Sequence, residues 1–145
     1  MNLLIDTNVL SEVRRPVPEP KVLAWLDRLD EDRAFISVAS IAELRRGIAL
    51  MDEGWRRAAL SAWLADGLPA RFAGRILPID PAVAERWGDL MARARKRGVA
   101  LSAMDGLFAA TALVHDLTLA TRNARDFAPL GVPILNPWIG GNVPR

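Results

Sequence analysis

A single α/β domain, with a mostly parallel sheet between helical layers, is what this sequence predicts, on three observations. Short apolar runs without alternation recur along the chain, the pattern of strands covered on both faces. Amphipathic helical stretches separate them, so strand and helix alternate as in parallel sheets. Two of the runs, Leu3-Leu4-Ile5 and Leu117-Thr118-Leu119-Ala120, end abruptly in polar residues. Beyond the carboxyl ends of such strands is where open α/β sheets bind ligands.

Taken in order, Leu3 to Ile5 is the first strand, and Asp6 stands just past its end. Thr7 to Val13 reads as a short helix whose start Thr7 or Asn8 can cap. The proline-rich link Arg15 to Pro20 stops it, and Pro20 opens a second helix with an apolar stripe at Val22, Leu23, Trp25, Leu26 and Leu29. Asp30-Glu31-Asp32 is a solvated acidic turn, because adjacent side chains on a turn point apart. Ala34 to Ser37 is a second strand, followed by a helical pattern from Val38 to Ile48. Within that helix Glu43 is out of place, lying toward a face of small and apolar residues instead of a polar one. A surface Glu paired with Arg46 is the ordinary explanation for it.

Trp55 to Leu64 reads as an amphipathic helix that Gly67-Leu68-Pro69 breaks, its tryptophans belonging to the core. Arg75 to Ile79 is a short strand, and Pro81 starts a long helix reaching about Arg97, where a basic run favours the helix dipole. Leu101 to Leu113 is a helix too apolar to be exposed, with Ser102 as its cap. Asp105 then falls in the first turn of a buried helix, and a buried carboxylate needs compensation from amides, a counter-charge or a metal. His115, the only His, lies about 80° from Asp105 around this helix and reads as an ordinary helix-end residue. The strand Leu117 to Thr121 runs into Arg122-Asn123-Ala124-Arg125-Asp126. Ile134-Leu135 is a last short strand, and Asn136-Pro137-Trp138 begins the tail.

Composition narrows the chemistry. With 145 residues and 51% hydrophobic content, one domain with a full core is expected over 1–145. There is no Cys, which removes disulfides, thiolate metal sites and cysteine nucleophiles and agrees with a reducing cytoplasm. Neither a signal-peptide pattern nor a stretch long enough to span a bilayer appears, so no membrane role is expected. Net charge is only +2, but 17 of the 19 cationic residues are Arg, the side chain suited to bidentate phosphate contacts. No P-loop or G-x-G-x-x-G pattern is present. A phosphoaspartate enzyme would also place acids at strand ends, but Asp6-Thr7-Asn8 lacks the second acid of a D-x-D motif. The two lysines, Lys21 and Lys96, are not at strand ends either.

Asp6 after the first strand, Glu43 in the helix after the second, Asp105 at a helical start and the pair Asn123 and Asp126 after a late strand form an ordered acid set. Together with Leu4-Ile5-Asp6-Thr7-Asn8, Ala42-Glu43-Leu44-Arg45-Arg46-Gly47, Asp105-Gly106-Leu107-Phe108-Ala109-Ala110-Thr111-Ala112 and Thr121-Arg122-Asn123-Ala124-Arg125-Asp126-Phe127, this set resembles the PIN-domain ribonucleases. It is most similar to the VapC-type toxins of bacterial toxin-antitoxin pairs, in their FitB-like branch. The resemblance implies a PIN-like three-layer α/β/α fold with a central, mostly parallel sheet. It also implies a magnesium-dependent endoribonuclease in which an activated water hydrolyses an RNA phosphodiester, with manganese able to replace magnesium.

Carried over, the resemblance makes Asp6, Glu43, Asp105 and Asp126 catalytic acids, with Asp6 and Asp105 as direct metal ligands. Thr7, Asn8, Thr121 and Asn123 then orient carboxylates and waters. Whether Asn123 or Asp126 fills the fourth position, and whether one ion or two act, stays open. Carboxylates without His or Cys suit a hard cation. Arg45, Arg46, Arg122 and Arg125 are the candidates for holding flanking phosphates. The implied partners are RNA, a small antitoxin and a second copy of the chain, with DNA reached only through the antitoxin. The alternative is a catalytically weak PIN-like protein acting as an antitoxin-binding, DNA-complex-forming module, for which the neutral Asn123 is the support.

Overall fold

The computed structural model describes residues 1–139. Five strands form one sheet: β1 (Leu3–Ile5), β2 (Ala34–Ser37), β3 (Ile76–Leu77), β4 (Thr118–Ala120) and β5 (Ile134–Leu135). Their order is β3-β2-β1-β4-β5 and every pairing is parallel. The expected mostly parallel sheet is thus wholly parallel among the described residues. β1 sits at its centre, in register with β2 (Leu3 to Ala34) and with β4 (Leu3 to Thr118).

Apart from Ser37 and Thr118 at their ends, the strands are apolar, because both faces are covered. Leu3 and Ile5 point into one core with Val22, Trp25, Ile36, Leu44 and Phe72, while Leu4 points into a second with Phe108, Ala112, Leu119 and Phe127. The pleat alternates although the polarity does not. Helices α1 (Thr7–Glu12), α2 (Pro20–Arg28), α3 (Val38–Ala49), α4 (Trp55–Ala62) and α5 (Leu68–Arg71) contribute mainly to the first core. The hairpin of α6 (Pro81–Lys96) and α7 (Ala103–Val114) builds most of the second. A short α8 (Ala124–Phe127), which the sequence did not announce, follows β4.

Trp55 is 83% exposed and so does not belong to the core, and two further expectations need correction. Gly67-Leu68-Pro69 does not break the helical run. Between α4 and α5 the chain makes a π turn over Trp63–Gly67, with the Leu68 N–H bonded to the Trp63 carbonyl, and helix continues to Arg71. Pro69 falls in the first turn of α5, where a missing N–H forfeits no helical bond, so the register shifts and the helix survives. The second concerns Asp105, which is half-buried instead of enclosed by its apolar helix. Ser102 caps α7 as expected, its Oγ accepting from the Asp105 N–H at 3.1 Å.

Gly106 sets how closely α7 approaches α6. A Cβ there would lie 2.6 Å from Met91 Sδ and 2.9 Å from Trp87 Nε1, both on α6. Trp87 Nε1 in turn donates to the Ala103 carbonyl at 2.9 Å. The absent side chain beside Asp105 therefore determines where that acid stands relative to the sheet.

Candidate active site at the carboxyl edge of the sheet

Strand order changes direction beside β1: the chain builds outward to β2 and β3, then returns to β4 on the other side. At such a switch point the loops beyond two neighbouring strands part, leaving a crevice. Asp6 ends β1 there, at the N-cap of α1, and Thr121 follows β4 across the crevice.

Asp6 is 5% exposed. Its Oδ2 accepts from Thr121 Oγ1 at 2.7 Å and from Asn8 Nδ2 at 3.4 Å. Asn8 Nδ2 also reaches Thr121 Oγ1 at 3.3 Å, and Asn8 Oδ1 accepts from the Arg122 N–H at 3.3 Å. Thr121 Oγ1 accepts from the Asn123 N–H at 3.0 Å. These bonds lock the first helix onto the loop after β4. Burial pushes the Asp6 carboxyl up to about 6; the Thr121 bond opposes the rise, and the charges of Glu43 and Asp105 add to it.

Glu43 reaches the same edge from α3. It is half-buried, and its Oε1 accepts from Thr7 Oγ1 at 2.7 Å, so it is not engaged with Arg46. Thr7 Oγ1 also lies 2.9 Å from Oγ of the fully buried Ser40. A hydroxyl has one proton. If Thr7 gives its proton to the carboxylate, the second bond must run from Ser40 to Thr7, which orders the chain Ser40 to Thr7 to Glu43. Ser40 was not among the candidates read from the sequence, although it lies three residues before Glu43 on the same helix.

Asp105 faces the cleft from α7. Burial raises its carboxyl, the Ser102 hydroxyl lowers it, and the Asp126 charge raises it again. Asp126 is exposed, and Asn123 is exposed at the N-cap of α8 with no cap bond from its side chain. The four acids therefore act on one another in a chain, Glu43 and Asp105 on Asp6 and Asp126 on Asp105. Among the described residues none of them is in an ion pair.

The four arginines expected to hold phosphates, Arg45, Arg46, Arg122 and Arg125, are all exposed. Arg45 and Arg46 are exposed on α3, with Arg45 Nη1 3.5 Å from Ser61 Oγ. Arg122 stacks on Trp138, 5.3 Å from the ring centroid, and Arg125 is exposed. Three other arginines, Arg14, Arg15 and Arg56, line a groove of about 350 Å³ that also contains Thr7 and Glu43. They come from α4 and from the turn after α1, and no local pattern links them to an acid.

The donor set suits a hard divalent cation: unpaired carboxylates, one of them buried with a raised affinity for positive charge, and no soft ligand. Among the described residues no three acids are close enough to enclose an ion. Magnesium tolerates that, because it keeps several waters and is commonly held by one or two protein carboxylates.

An all-parallel five-stranded sheet with acids gathered at its switch point is the architecture of a known class, and comparison places the chain in it. Residues 3–131 match the PIN domain, and the chain belongs to that family. Its similar proteins include one named as a toxin and others named as VapC ribonucleases. The chain is 42% identical to Toxin FitB of Neisseria gonorrhoeae over 94% of its own length and 98% of that protein's. It is 38% identical to VapC ribonuclease Y4jK of Sinorhizobium fredii, over 94% and 97%. The crystal structure of FitAcB from Neisseria gonorrhoeae superposes with a TM-score of 0.89 at 42% identity, covering 94% of this chain and 98% of that one. FitAB bound to an IR36 DNA fragment gives 0.88 at 40%, covering 94% and 95%.

Proposed function

We propose that this chain is a magnesium- or manganese-dependent endoribonuclease, the toxin of a toxin-antitoxin pair. The observation that carries the reading is the uncompensated acid set at the switch point, with buried Asp6 held ready by Thr121 and Asn8. A bound divalent cation would supply charge to offset the phosphate and the leaving oxygen. Asp6 and Asp105 would hold that ion. Glu43, oriented by Thr7, accepts a proton from the attacking water or positions it for in-line attack on phosphorus. The water oxygen bonds to phosphorus as the P–O bond to the departing oxygen breaks; the water's proton passes to Glu43 or to solvent, the departing oxygen takes a proton from solvent, and two shorter RNA products leave. Asp126 adds negative charge beside Asp105, which supports it over neutral Asn123 for the fourth position.

The solved relative FitAB is bound to a DNA fragment, and another similar structure, 26% identical with a TM-score of 0.67, is a toxin-antitoxin complex from Klebsiella pneumoniae. By analogy this chain pairs with a small antitoxin, forms a homodimer, and meets DNA through the antitoxin. Among the described residues no helix is long and apolar enough to cross a membrane. The absence of cysteine suits the cytoplasm, where we place the reaction.

The test is cleavage of a structured RNA by purified protein free of antitoxin. Cleavage in magnesium that stops in chelator is expected. Undiminished cleavage in chelator rejects the metal, and RNA left intact in magnesium favours the weak-catalyst alternative, in which antitoxin and DNA binding persist without hydrolysis.

A further inference from the structure

We propose that the groove beyond Glu43 is the track for a single-stranded RNA segment flanking the scissile phosphate, with Arg14 and Arg56 on its phosphates and Trp63 against a base. The proposal rests on the ribonuclease reading and identifies where the substrate runs.

An RNA chain cut between the acids must leave the cleft over some surface. The groove of about 350 Å³ begins at the cleft itself, since Thr7 and Glu43 are part of its wall. Three arginines line it, and they are not equivalent. Arg15 is committed to buried Glu12, its Nη1 lying 3.1 and 3.3 Å from the two carboxylate oxygens. Arg14 and Arg56 have no carboxylate partner among the described residues. They are nonetheless held: the Arg14 guanidinium lies 4.9 Å from the Trp63 ring centroid, and Arg56 Nη2 donates to the Arg14 carbonyl at 3.0 Å. Two uncompensated, positioned cations beside a cluster of uncompensated anions form a dipolar surface. Phosphates are drawn to its positive side, while the carboxylates need a cation before they can accept one.

Apart from Ser11, the rest of the groove is apolar, with Leu44, Ile48 and Leu60 in its wall together with Trp63. Bases of any identity stack on such a surface by their faces, so an arginine rim over an aromatic floor fits a single strand. Trp63 is half-buried and stands at the head of the π turn Trp63–Gly67. A Cβ on Gly67 would lie 3.2 Å from Trp63 Cδ1, so glycine gives the indole its room. Turns of this π type occur frequently at functional sites.

The probe is a labelled single-stranded RNA, with affinity measured in chelator over a range of salt and steady-state cleavage measured in magnesium. Arg14→Gln and Arg56→Gln should each weaken binding and reduce the slope of log affinity against log salt by about 0.7, the value for one phosphate contact on a single strand. In cleavage they should raise KM and leave kcat within about twofold. Trp63→Leu should weaken binding roughly five- to hundredfold, whereas Trp63→Phe restores most of it. Arg86→Gln, exposed on α6 and outside the groove, is the control and should leave the slope unchanged. Melting curves identify any variant that fails to fold, and the two arginine variants, being surface changes, carry the test without Trp63. Unchanged affinity and slope in both arginine variants overturn the proposal while leaving wild-type cleavage, and so the ribonuclease reading, intact. Loss of binding to a purified antitoxin with RNA affinity unchanged reassigns the groove to a protein segment and overturns it equally. Wild-type protein that neither binds nor cuts RNA rejects both.

Discussion

On one side of the cleft Asp6 is buried and takes hydrogen bonds from Thr121, 115 residues away, and from Asn8, while Thr7 and Ser40 steady Glu43. On the other side Asp105 depends on Ser102 of its own helix, and Asp126 is exposed after β4. The first side is tied across the centre of the sheet and built before any ligand arrives; the second is anchored locally. The difference teaches that preorganisation here has a cost. Holding Asp6 ionised in a buried place works against folding until a cation compensates it, and the looser side can adjust to the ion that arrives.

The largest expected effect is on cleavage. Asp6→Asn and Asp105→Asn should each lower kcat by more than the roughly 10–100-fold typical of groups that only support metal ligands. In chelator Asp105→Asn should be as stable as wild type or more so, because it removes one of the like charges. Magnesium should then stabilise wild type by about 2.7 kcal/mol at a hundredfold excess over its Kd, and the variant should lose most of that gain. If Asp105→Asn is strongly destabilised in chelator yet gains as much from magnesium, Asp105 is a structural cap.

Next in size is a pH effect confined to the buried side. The folded Asp6 carboxyl titrates near 6 against an ordinary 3.8, so between those values the folded state binds more protons than the unfolded one. Stability in chelator must therefore fall as pH rises through this window, by on the order of 3 kcal/mol, and level off above it. Asp6→Asn should remove most of the fall and leave the part that the raised Asp105 carboxyl contributes. Melting curves of both proteins from pH 4 to 7 measure it, and a difference between them that does not change with pH would contradict the buried, ionised Asp6.

Gly106→Ala probes the local anchoring of the other side. Its Cβ would meet Met91 and Trp87, forcing α7 away from α6 at a cost of about 1–3 kcal/mol. Cleavage should drop further than a melting shift of that size accounts for, because Asp105 moves with the helix. Retained activity at lowered stability would show that the position of Asp105 is not critical. The smallest effect belongs to Ser40→Ala, which removes one buried hydrogen bond worth about 1 kcal/mol. A severalfold loss of kcat with a displaced pH profile is expected if Ser40 orders the proton chain to Glu43, whereas a purely structural Ser40 lowers the melting temperature alone.

Much of the frame was legible in residue order. Unalternating strands ending at Asp6 and Thr121, the cap at Ser102 and the odd Glu43 all come from local chemistry, and the acids stood out because polar groups at strand ends and on small-residue faces are anomalies. What stayed hidden depends on long-range placement. Arg14 and Arg56 read as ordinary surface cations until α4 packs beside α1 and α3, while Arg45, two residues after Glu43, points about 160° away from it around the helix. The π turn escaped notice because proline and glycine are read as breakers, although one extra residue per turn accommodates both.

By itself, then, the sequence determined the fold class and the order of its main elements, since these follow from periodicity, and it marked Asp6 and Glu43 as acids among apolar and small neighbours. Only the tertiary structure decided that β1 lies between β2 and β4, so that Asp6 meets Thr121, that Ser40 stands behind Thr7, and which arginines border Glu43. Those are contacts between residues far apart in the chain, chosen by the packing of whole faces against one another, and no local pattern encodes them.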